Sequence, residues 1–208
     1  MNPVVSIVDD DALFRNSQAM LLRMEGFEVH EFESASAFLT QGNLDKPGCL
    51  VLDVRMPGMS GLDLQVELRT RHCFLPIIFL TGHGDITMAV HTMQQGAVDF
   101  LTKPVDPNVL IATVRKYVNI SLDEYQERQV QQKYLNIYNS LTPREQQIIQ
   151  LVAQNISNKQ IATILNIAEP TVKMHRANAF GKFEINSVLE AYQVLEKIGL
   201  LNQKGESC

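Results

Sequence analysis

The sequence predicts an α/β fold, with a doubly wound, parallel five-stranded sheet in the first part of the chain and an all-α domain in the second. Over the first 120 residues, short apolar runs alternate with segments whose apolar residues recur at helical spacing. Repeated βα units of this kind build a parallel sheet with helices on both faces. Beyond residue 140 only helical signals remain. At 208 residues with 45% hydrophobic content, the chain can form one domain or two, since domains commonly hold roughly 100–200 residues.

The first part contains signals for five strands and five helices. In the first helix, Leu13, Ala19, Met20 and Met24 share one side, as in an amphipathic helix, and Gly26 ends it. The strands are expected near residues 3–8, 27–32, 48–53, 76–80 and 98–101. The helices are expected near residues 11–25, 35–41, 62–70, 85–95 and 107–118.

A polar segment, residues 121–139, follows the fifth helix. It contains neither proline nor glycine, and its apolar residues recur at helical intervals. We therefore expect a helical linker, with a flexible coil as the alternative.

Three helices are predicted after residue 140, with a tight turn between the last two. Capping boxes at Thr142–Glu145 and Ser157–Gln160 start the first two helices, which are expected to stop near Asn155 and at Asn166. A third helix starts by Pro170, which makes a helix-turn-helix candidate. The residues expected to face inward on the first two helices are Ile148, Leu151, Val152, Ile161, Ile164 and Leu165.

Three acids, a hydroxyl and an amine stand at the predicted ends of four strands. Asp9 and Asp10 follow the first strand, Asp53 follows the third, and Thr81 and Lys103 follow the fourth and fifth. The carboxyl ends of parallel strands share one edge of the sheet, where open α/β sheets bind ligands. Clustered carboxylates need a neutralising divalent cation, and carboxylate oxygens together with water suit Mg²⁺. Such a site fits phosphoryl transfer onto a carboxylate.

Composition excludes several classes of protein. No apolar run approaches the roughly 20 residues needed to span a bilayer, and the chain enters a strand without a basic leader, so a soluble, unexported, cytoplasmic protein is expected. Cys49, Cys73 and Cys208 are too few and too scattered for a disulfide framework or a zinc site. The net charge of −5 arises in residues 1–120, whereas residues 158–182 carry four basic side chains against one acid. That local positive field is of the kind that attracts nucleic-acid phosphates.

Several short motifs follow one another along the chain. They are Ile7–Asp11, Leu52–Gly61, Thr81–Asp85, Gly96–Pro104, Leu141–Glu145 and Thr171–Arg176. Together they resemble the two-domain bacterial response regulators of the FixJ/NarL type, in which a receiver domain of flavodoxin-like fold precedes a LuxR-type helix-turn-helix domain. The resemblance implies a receiver at residues 1–120, the linker at 121–139 and a DNA-binding domain at 140–208.

The same resemblance implies that a cognate sensor histidine kinase phosphorylates Asp53. Asp10, Asp53 and the backbone carbonyl of Arg55 are implied as Mg²⁺ ligands, with Asp9 holding the ion through water. Lys103 is implied to pair with the phosphoryl oxygens. These roles are positioning and charge neutralisation, which is most of what phosphoryl transfer requires. No enzymatic activity is expected beyond self-phosphorylation and slow autodephosphorylation.

Thr81 and Phe100 are implied as a switch pair. Thr81 would move to hydrogen-bond the phosphoryl group, and Phe100 would turn into the space that it leaves. The face formed by residues 85–102 would then support homodimerisation, which raises DNA affinity through effective concentration. Asp11 is expected to cap the first helix, and the Lys103–Pro104 bond resembles the family's cis peptide.

The third helix of the second domain is expected to contact DNA. Val172, Ala179 and Phe183 share its inward side, and the outward side has one long donor, Lys173, beside the apolar Met174. We therefore expect binding dominated by phosphate contacts, with sparse base readout. The residues expected at the DNA are Lys159, Thr171, Lys173, Met174, Arg176, Ala177, Asn178 and Lys182.

Two residues are expected to weaken this helix. Ala168 stands where the family usually has a capping serine, a change that costs about 0.5–2 kcal/mol. Gly181 lies in the helix interior, where glycine costs about 1 kcal/mol relative to alanine.

The expected function is phosphorylation-controlled binding to promoter DNA, with RNA polymerase as a further candidate partner and no membrane partner. A haloacid-dehalogenase-type phosphohydrolase is one alternative, but it would need a second aspartate where Arg55 stands. A regulator acting through protein or RNA contacts is the other, and it would lack salt-sensitive binding to duplex DNA. Two ways of inhibiting the unphosphorylated form stay open: the receiver covers the third helix, or dimerisation is absent. The linker is compatible with both.

Overall fold

The structure, a computed structural model, describes residues 2–82 and 99–201 and divides into two compact units. The units are Met1–Gln126 and Glu127–Cys208. None of the helices in the described ranges is both long enough and apolar enough to cross a bilayer.

The first unit is built on a parallel five-stranded sheet with the strand order β2-β1-β3-β4-β5, which confirms the predicted fold class. The strands are β1 (Val4–Val8), β2 (Glu28–Phe32), β3 (Gly48–Asp53), β4 (Ile77–Thr81) and β5 (Asp99–Thr102). The described helices are α1 (Ala12–Met24), α2 (Ala35–Gln41), α3 (Gly61–Thr70) and α4 (Pro107–Ser140). The helix expected near residues 85–95 lies outside the described residues.

Alternate side chains of the strands enter two apolar cores on opposite faces of the sheet. Val5 and Ile7 of β1 pack with α1 and α4 on one face, and Val8 packs with α2 and α3 on the other. Because both faces are covered, the central strands are mainly apolar, and their polar residues are Ser6 in β1 and the strand-end residues Asp53 and Thr81. The parallel register pairs Val8 with Leu52, so the residues that follow these two emerge at the same level of one sheet edge.

The four apolar residues that were predicted to share one side of α1 lie on two different sides. Leu13, Met20 and Met24 lie on the solvent side, with Leu13 84% exposed, whereas Ala19 and Leu22 are fully buried. At 100° per residue, the three exposed residues form a stripe opposite Leu22. The prediction was wrong because α1 carries two apolar stripes, and the sheet covers only one of them.

The helix α4 is 34 residues long and contains the whole segment predicted as a helical linker. Its first part packs on the sheet through Leu110 and Val114. Ser121 is buried, and its Oγ accepts a hydrogen bond from the Gly48 N–H at 3.0 Å, which satisfies a donor at the start of β3.

The second unit surrounds one apolar core with four further helices and the last turns of α4. The two predicted capping boxes are present, with Thr142 and Ser157 accepting from the backbone three residues on. Asn155 and Asn166 adopt left-handed backbone angles at the helix ends, as expected. The helices are α5 (Pro143–Ala153), α6 (Asn158–Leu165), α7 (Glu169–Phe183) and α8 (Val188–Lys197).

One residue expected inward faces solvent in this unit. Five of the six predicted positions on α5 and α6 pack against the core wholly or in part, whereas Ile164 is 57% exposed. The reason is that α6 presents a single stripe, centred on the fully buried Ile161, to its neighbours. Ile164 lies to one side of that stripe.

The helix α7 spans 15 residues despite the two weak positions that the sequence contains. Ala168 is its N-cap and makes no side-chain hydrogen bond, as expected, and Gly181 lies inside it. Four apolar residues on one side of the helix are buried. One of them, Phe180, was not among the residues predicted to face inward. Tertiary burial of an apolar face is what usually stabilises a protein helix, and here it outweighs the poor cap.

We expect Gly181→Ala to raise the free energy of unfolding of the second unit by about 0.5–1 kcal/mol, because alanine loses less chain entropy on folding. A Cβ atom at this position meets no atom within 4 Å. Gly199→Ala is the matched control: it also meets no atom within 4 Å, but its φ of +72° strains an L-residue, so a loss of about 1 kcal/mol is expected. Hydrogen exchange of the α7 and α8 amides measures both. Destabilisation by Gly181→Ala would contradict the account.

Candidate functional site

Two acidic side chains meet at the carboxyl edge of the sheet. Asp9 directly follows β1, and Asp53 is the last residue of β3. The parallel register of β1 and β3 places them at the same level, and both are buried. Buried carboxylates require compensating hydrogen bonds or charge.

The amine of Lys103 supplies that charge. Its Nζ lies 2.6 Å from Asp9 Oδ2 and 2.6 Å from Asp53 Oδ1. The backbone N–H of Lys103 donates to the carbonyl of Thr81, which ties the end of β5 to β4. The ring of Phe14 lies beneath the ammonium group, with 4.3 Å between Nζ and the ring centroid. One cation therefore bridges two buried anions.

Backbone donors orient the remaining oxygens of the two carboxylates. The N–H of Asp11 donates to Asp9 Oδ1 at 2.9 Å, and the N–H of Arg55 donates to Asp53 Oδ2 at 2.9 Å. Asp11 also caps α1, as expected, because its side chain accepts from the N–H groups of Leu13 and Phe14. The turns after β1 and β3 thus hold both acids in fixed orientations.

Burial and charge act in opposite directions on this cluster. Burial raises the pKa of Asp53 above its ordinary value, and the hydrogen bond and attraction of Lys103 only partly oppose this effect. Burial alone would lower the pKa of Lys103, but its hydrogen bonds to Asp53 and Asp9 and the attraction of both acids raise the pKa overall. The lysine therefore stays protonated, and the cluster carries more negative than positive charge when both acids are ionised.

The other predicted residues of this site lie around the pair. Asp10 and the side chain of Arg55 are exposed. Thr81 is buried, with its Oγ1 donating to the Gly82 carbonyl at 3.2 Å. Phe100 is half-buried against the core that contains α2 and α3. Most of the face at residues 85–102 lies outside the described residues.

The expected three-acid cluster is present as a pair. Within residues 2–82 and 99–201, no three His, Cys, Asp or Glu side chains gather closely enough to hold a metal ion. Asp10 stands in the exposed turn after β1 and does not join Asp9 and Asp53. The donor chemistry still fits Mg²⁺, since the oxygens are hard, the pair has surplus negative charge, and Mg²⁺ commonly binds one or two carboxylates and several waters.

Of the predicted DNA-contacting residues, seven lie on α7 and Lys159 lies on α6. Lys159, Lys173, Met174, Ala177, Asn178 and Lys182 are exposed, and Thr171 and Arg176 are half-buried. The inward residues Val172, Ala179 and Phe183 are buried, so the sides of the helix lie as the sequence indicated.

Of the four basic side chains in residues 158–182, three have side-chain partners among the described residues. Lys173 pairs with Glu169 at 2.9 Å, one helical turn earlier. Arg176 donates to Asn158 Oδ1 at 3.1 Å and packs over the Phe180 ring. These cations are oriented before any ligand binds.

Lys182 makes contacts within the second unit that a phosphate-contacting residue does not need. Its Nζ lies 2.8 Å from Oε2 of Glu145, the buried acid of the first capping box, and 3.4 Å from the Ser140 carbonyl. A DNA phosphate would have to compete with that acid. We therefore interpret Lys182 first as a structural residue of the second unit.

Sequence reasoning missed several residues that shape these sites. Phe14 beneath Lys103 and the contact of Arg15 with the Asp9 carbonyl both come from the first turn of α1. The pairing of Glu145 with Lys182 joins α5 to α7 through two residues that lie 37 positions apart in sequence. The sequence contains no local signal for these contacts, since a buried arginine requires a partner but the buried stripe of α1 depends on where the neighbouring elements lie.

Comparison with known proteins gives a family match in each of the two units. Residues 5–115 match the response regulator receiver domain family, and residues 139–195 match the luxR family of bacterial regulatory proteins. The response regulator protein TodT of Pseudomonas putida is 40% identical over 195 residues, which cover 94% of this chain and 86% of TodT. The transcriptional regulatory protein FixJ of Bradyrhizobium diazoefficiens is 36% identical over 198 residues, 95% of this chain and 97% of FixJ. The solved structure of the response regulator StyR matches with a TM-score of 0.87 and 43% identity, over 95% of this chain and 100% of that chain.

The Glu145–Lys182 pair predicts a pH dependence of stability. The hydrogen bonds from Lys182 and from the Thr142 N–H hold the pKa of Glu145 below its ordinary value of 4.5. A carboxyl whose pKa is lowered on folding stabilises the protein above its unfolded pKa, and this contribution disappears as the pH falls through the folded pKa. Lys182→Gln should therefore destabilise the second unit at pH 7, by an amount that shrinks below about pH 4.5.

Hydrogen exchange of the α5 amides, compared with wild type at each pH, tests this expectation. Lys159→Gln is the control, because it removes an exposed lysine of the same unit. A Lys182→Gln effect that stays constant between pH 7 and pH 3 would show that Glu145 is not the partner that matters.

Proposed function

The chain belongs to the response regulators that join a receiver domain to a LuxR-type DNA-binding domain, and from this membership we propose that phosphorylation of Asp53 controls its binding to promoter DNA. It is a two-component response regulator and a regulator of transcription. We assign the receiver to residues 1–120, the helical linker to 121–139 and the DNA-binding domain to 140–208.

The observation that carries the proposal is the bridge of Lys103 between Asp9 and Asp53, at 2.6 Å from each. The bridge places a nucleophilic carboxylate, a second acid and a fixed cation within one hydrogen-bonded cluster. Phosphoryl transfer needs little else from a protein than positioning and stabilisation of negative charge. A purely structural ion pair at a sheet edge would need only one acid for each lysine.

In the proposed reaction, an Asp53 Oδ atom forms a bond to the phosphorus of the kinase's phosphohistidine. The P–N bond breaks, and its electron pair leaves with the imidazole nitrogen, which departs as neutral imidazole when the other ring nitrogen carries a proton. Asp53 thereby loses its negative charge, and the Lys103 ammonium group turns to the phosphoryl oxygens. Mg²⁺, held by Asp10, Asp53 and the Arg55 carbonyl, and by Asp9 through water, would neutralise charge on those oxygens.

The proposed switch begins at Thr81. Its hydroxyl group can hydrogen-bond a phosphoryl oxygen on Asp53, because β3 and β4 are neighbours in the sheet and pair Asp53 with Leu80, the residue before Thr81. Phe100 on β5 would then turn toward the space that Thr81 leaves, and the face at residues 85–102 would support a homodimer. We propose dimerisation as the link to DNA affinity.

The proposed DNA contacts centre on α7. Lys173 is exposed on its outward side, and Met174 and Ala177 beside it suit contacts with thymine methyl groups. Thr171, Asn178, Lys159 and Arg176 would bind phosphates and set the register on the duplex. We propose a cytoplasmic regulator with a cognate sensor histidine kinase and promoter DNA as partners, and RNA polymerase as a further partner once bound.

Asp53→Asn should abolish labelling by acetyl phosphate in the presence of Mg²⁺, because the amide keeps the shape of the acid but is not a nucleophile. It should also abolish any increase in DNA binding that the phosphodonor causes. Asp45→Asn, which changes an exposed acid of the same unit, should label like wild type. Label on the Asp53→Asn protein would show that the phosphoacceptor is another residue.

Lys173→Ala should weaken specific DNA binding by about 1–3 kcal/mol, which is roughly 5- to 150-fold, and leave phosphorylation unchanged. The measurement is fluorescence anisotropy with a selected site and with random duplex at several salt concentrations. Lys197→Ala is the matched control, an exposed lysine on α8 outside the predicted contact set. Equal weakening by both variants would assign the effect to net charge and contradict a role for Lys173 at the bases.

A further inference from the structure

An arginine on the buried side of α1 contacts the backbone of Asp9, one member of the acid pair. Arg15 shares that side with Ala19 and Leu22, at spacings of four and seven residues, and its side chain is only 14% exposed. A guanidinium group has five donors and no acceptor, so one placed on an apolar side must find oxygens there. The identity of those oxygens indicates what the residue does.

The closest partner of Arg15 is a backbone oxygen of the acidic turn. Its Nη1 donates to the Asp9 carbonyl at 2.6 Å. That carbonyl belongs to the peptide group that joins Asp9 to Asp10. On the other side of the same residue, the Asp9 N–H donates to the Phe32 carbonyl of β2 at 3.2 Å. The backbone of Asp9 is therefore held from β2 through its N–H and from α1 through its carbonyl.

The ion pair of Arg15 with Glu31 is looser than this hydrogen bond. The Nε of Arg15 lies 3.9 Å from Glu31 Oε2, and that oxygen is buried and accepts no hydrogen bond from the described residues. The other oxygen of Glu31 takes Arg23 Nη1 at 2.9 Å. Glu31 thus provides charge compensation, while the short, directional bond of Arg15 goes to the Asp9–Asp10 peptide.

We propose that Arg15 is a positioning residue for Mg²⁺ binding at the acid pair. By fixing the orientation of the Asp9–Asp10 peptide, it sets the direction in which the exposed Asp10 leaves the turn and keeps Asp9 beside Asp53. Groups that orient metal ligands commonly change metal affinity about 10- to 100-fold when removed. The inference rests on the proposed function, because it assigns Mg²⁺ to these acids.

Arg23 provides a matched control on the same helix. Its Nη2 donates to a backbone carbonyl six residues away, that of Val29, at 2.9 Å, and it pairs with the same Glu31. Arg15 likewise reaches a carbonyl six residues away, that of Asp9. The two arginines differ in which backbone they hold: Arg23 holds β2, and Arg15 holds the acidic turn.

The test compares Arg15→Met, Arg15→Lys and Arg23→Met in the full-length chain. Methionine keeps much of the apolar stem and removes the donors. Mg²⁺ affinity is measured without phosphodonor, by titrating MgCl₂ and following the amide NMR signals of Asp53 and Arg55. The rate of labelling by acetyl phosphate is then measured against Mg²⁺ concentration, and thermal unfolding gives the stability of each variant.

We expect Arg15→Met to weaken Mg²⁺ binding about tenfold or more, with a labelling rate at saturating Mg²⁺ that stays close to that of wild type. Arg15→Lys should recover part of the affinity, and Arg23→Met should bind Mg²⁺ like wild type. Unchanged affinity in Arg15→Met would overturn the proposal. Equal loss in Arg15→Met and Arg23→Met would also overturn it, since a general loss of stability would then explain both.

The design separates this inference from the proposed function. If wild type binds Mg²⁺ but takes no label, while Arg15→Met still binds the ion more weakly than Arg23→Met does, phosphorylation of Asp53 is contradicted and the positioning role is supported. If wild type binds no Mg²⁺ at these residues, the positioning role is overturned.

Discussion

Two buried carboxylates that share one ammonium ion constrain the first unit more than any other interaction. Asp9 and Asp53 come from neighbouring strands, whereas Lys103 follows the edge strand β5 and must reach across to both. The cluster is satisfied only when β1, β3 and β5 end at the same level and the two turns aim their N–H groups at the acids. When both acids are ionised, its surplus negative charge favours the proposed binding of Mg²⁺. The same electrostatic imbalance therefore accounts for the local geometry and for the proposed chemistry.

The second unit also contains a buried acid that pairs with a lysine. It buries an acid, Glu145, that caps α5 and binds Lys182 of α7, so a charge pair fastens the helix that is proposed to contact DNA to the rest of the unit. Of the other basic side chains, Lys173 and Arg176 are held by Glu169 and Asn158. In the proposed DNA complex, phosphates would have to replace or join these partners, which limits the gain from each contact. Weak binding by one copy would fit the proposed increase in DNA affinity on dimerisation.

Much of this arrangement could be predicted from the sequence, because it depends on local signals. Strand-end acids, capping boxes at Thr142 and Ser157, and left-handed Asn155 and Asn166 are properties of a few neighbouring residues. The predictions that were wrong concern the packing of helices against elements distant in sequence. Leu13 and Ile164 are apolar at helical spacing, but which stripe of a helix is buried depends on where the neighbouring elements lie. For the same reason, no local pattern could show that Arg15 reaches the Asp9 carbonyl or that Lys182 reaches Glu145.

The most direct test of the central claim is to locate the phosphoryl group chemically. The protein is incubated with acetyl phosphate and Mg²⁺, the acyl phosphate is reduced with borohydride, and the peptides are sequenced by mass spectrometry. We expect aspartate to be converted to homoserine at residue 53 in a reaction that requires Mg²⁺, and we expect Asp9 and Asp10 to remain unmodified. Conversion at another acid, or none at residue 53 under conditions in which the protein binds Mg²⁺, would contradict this expectation.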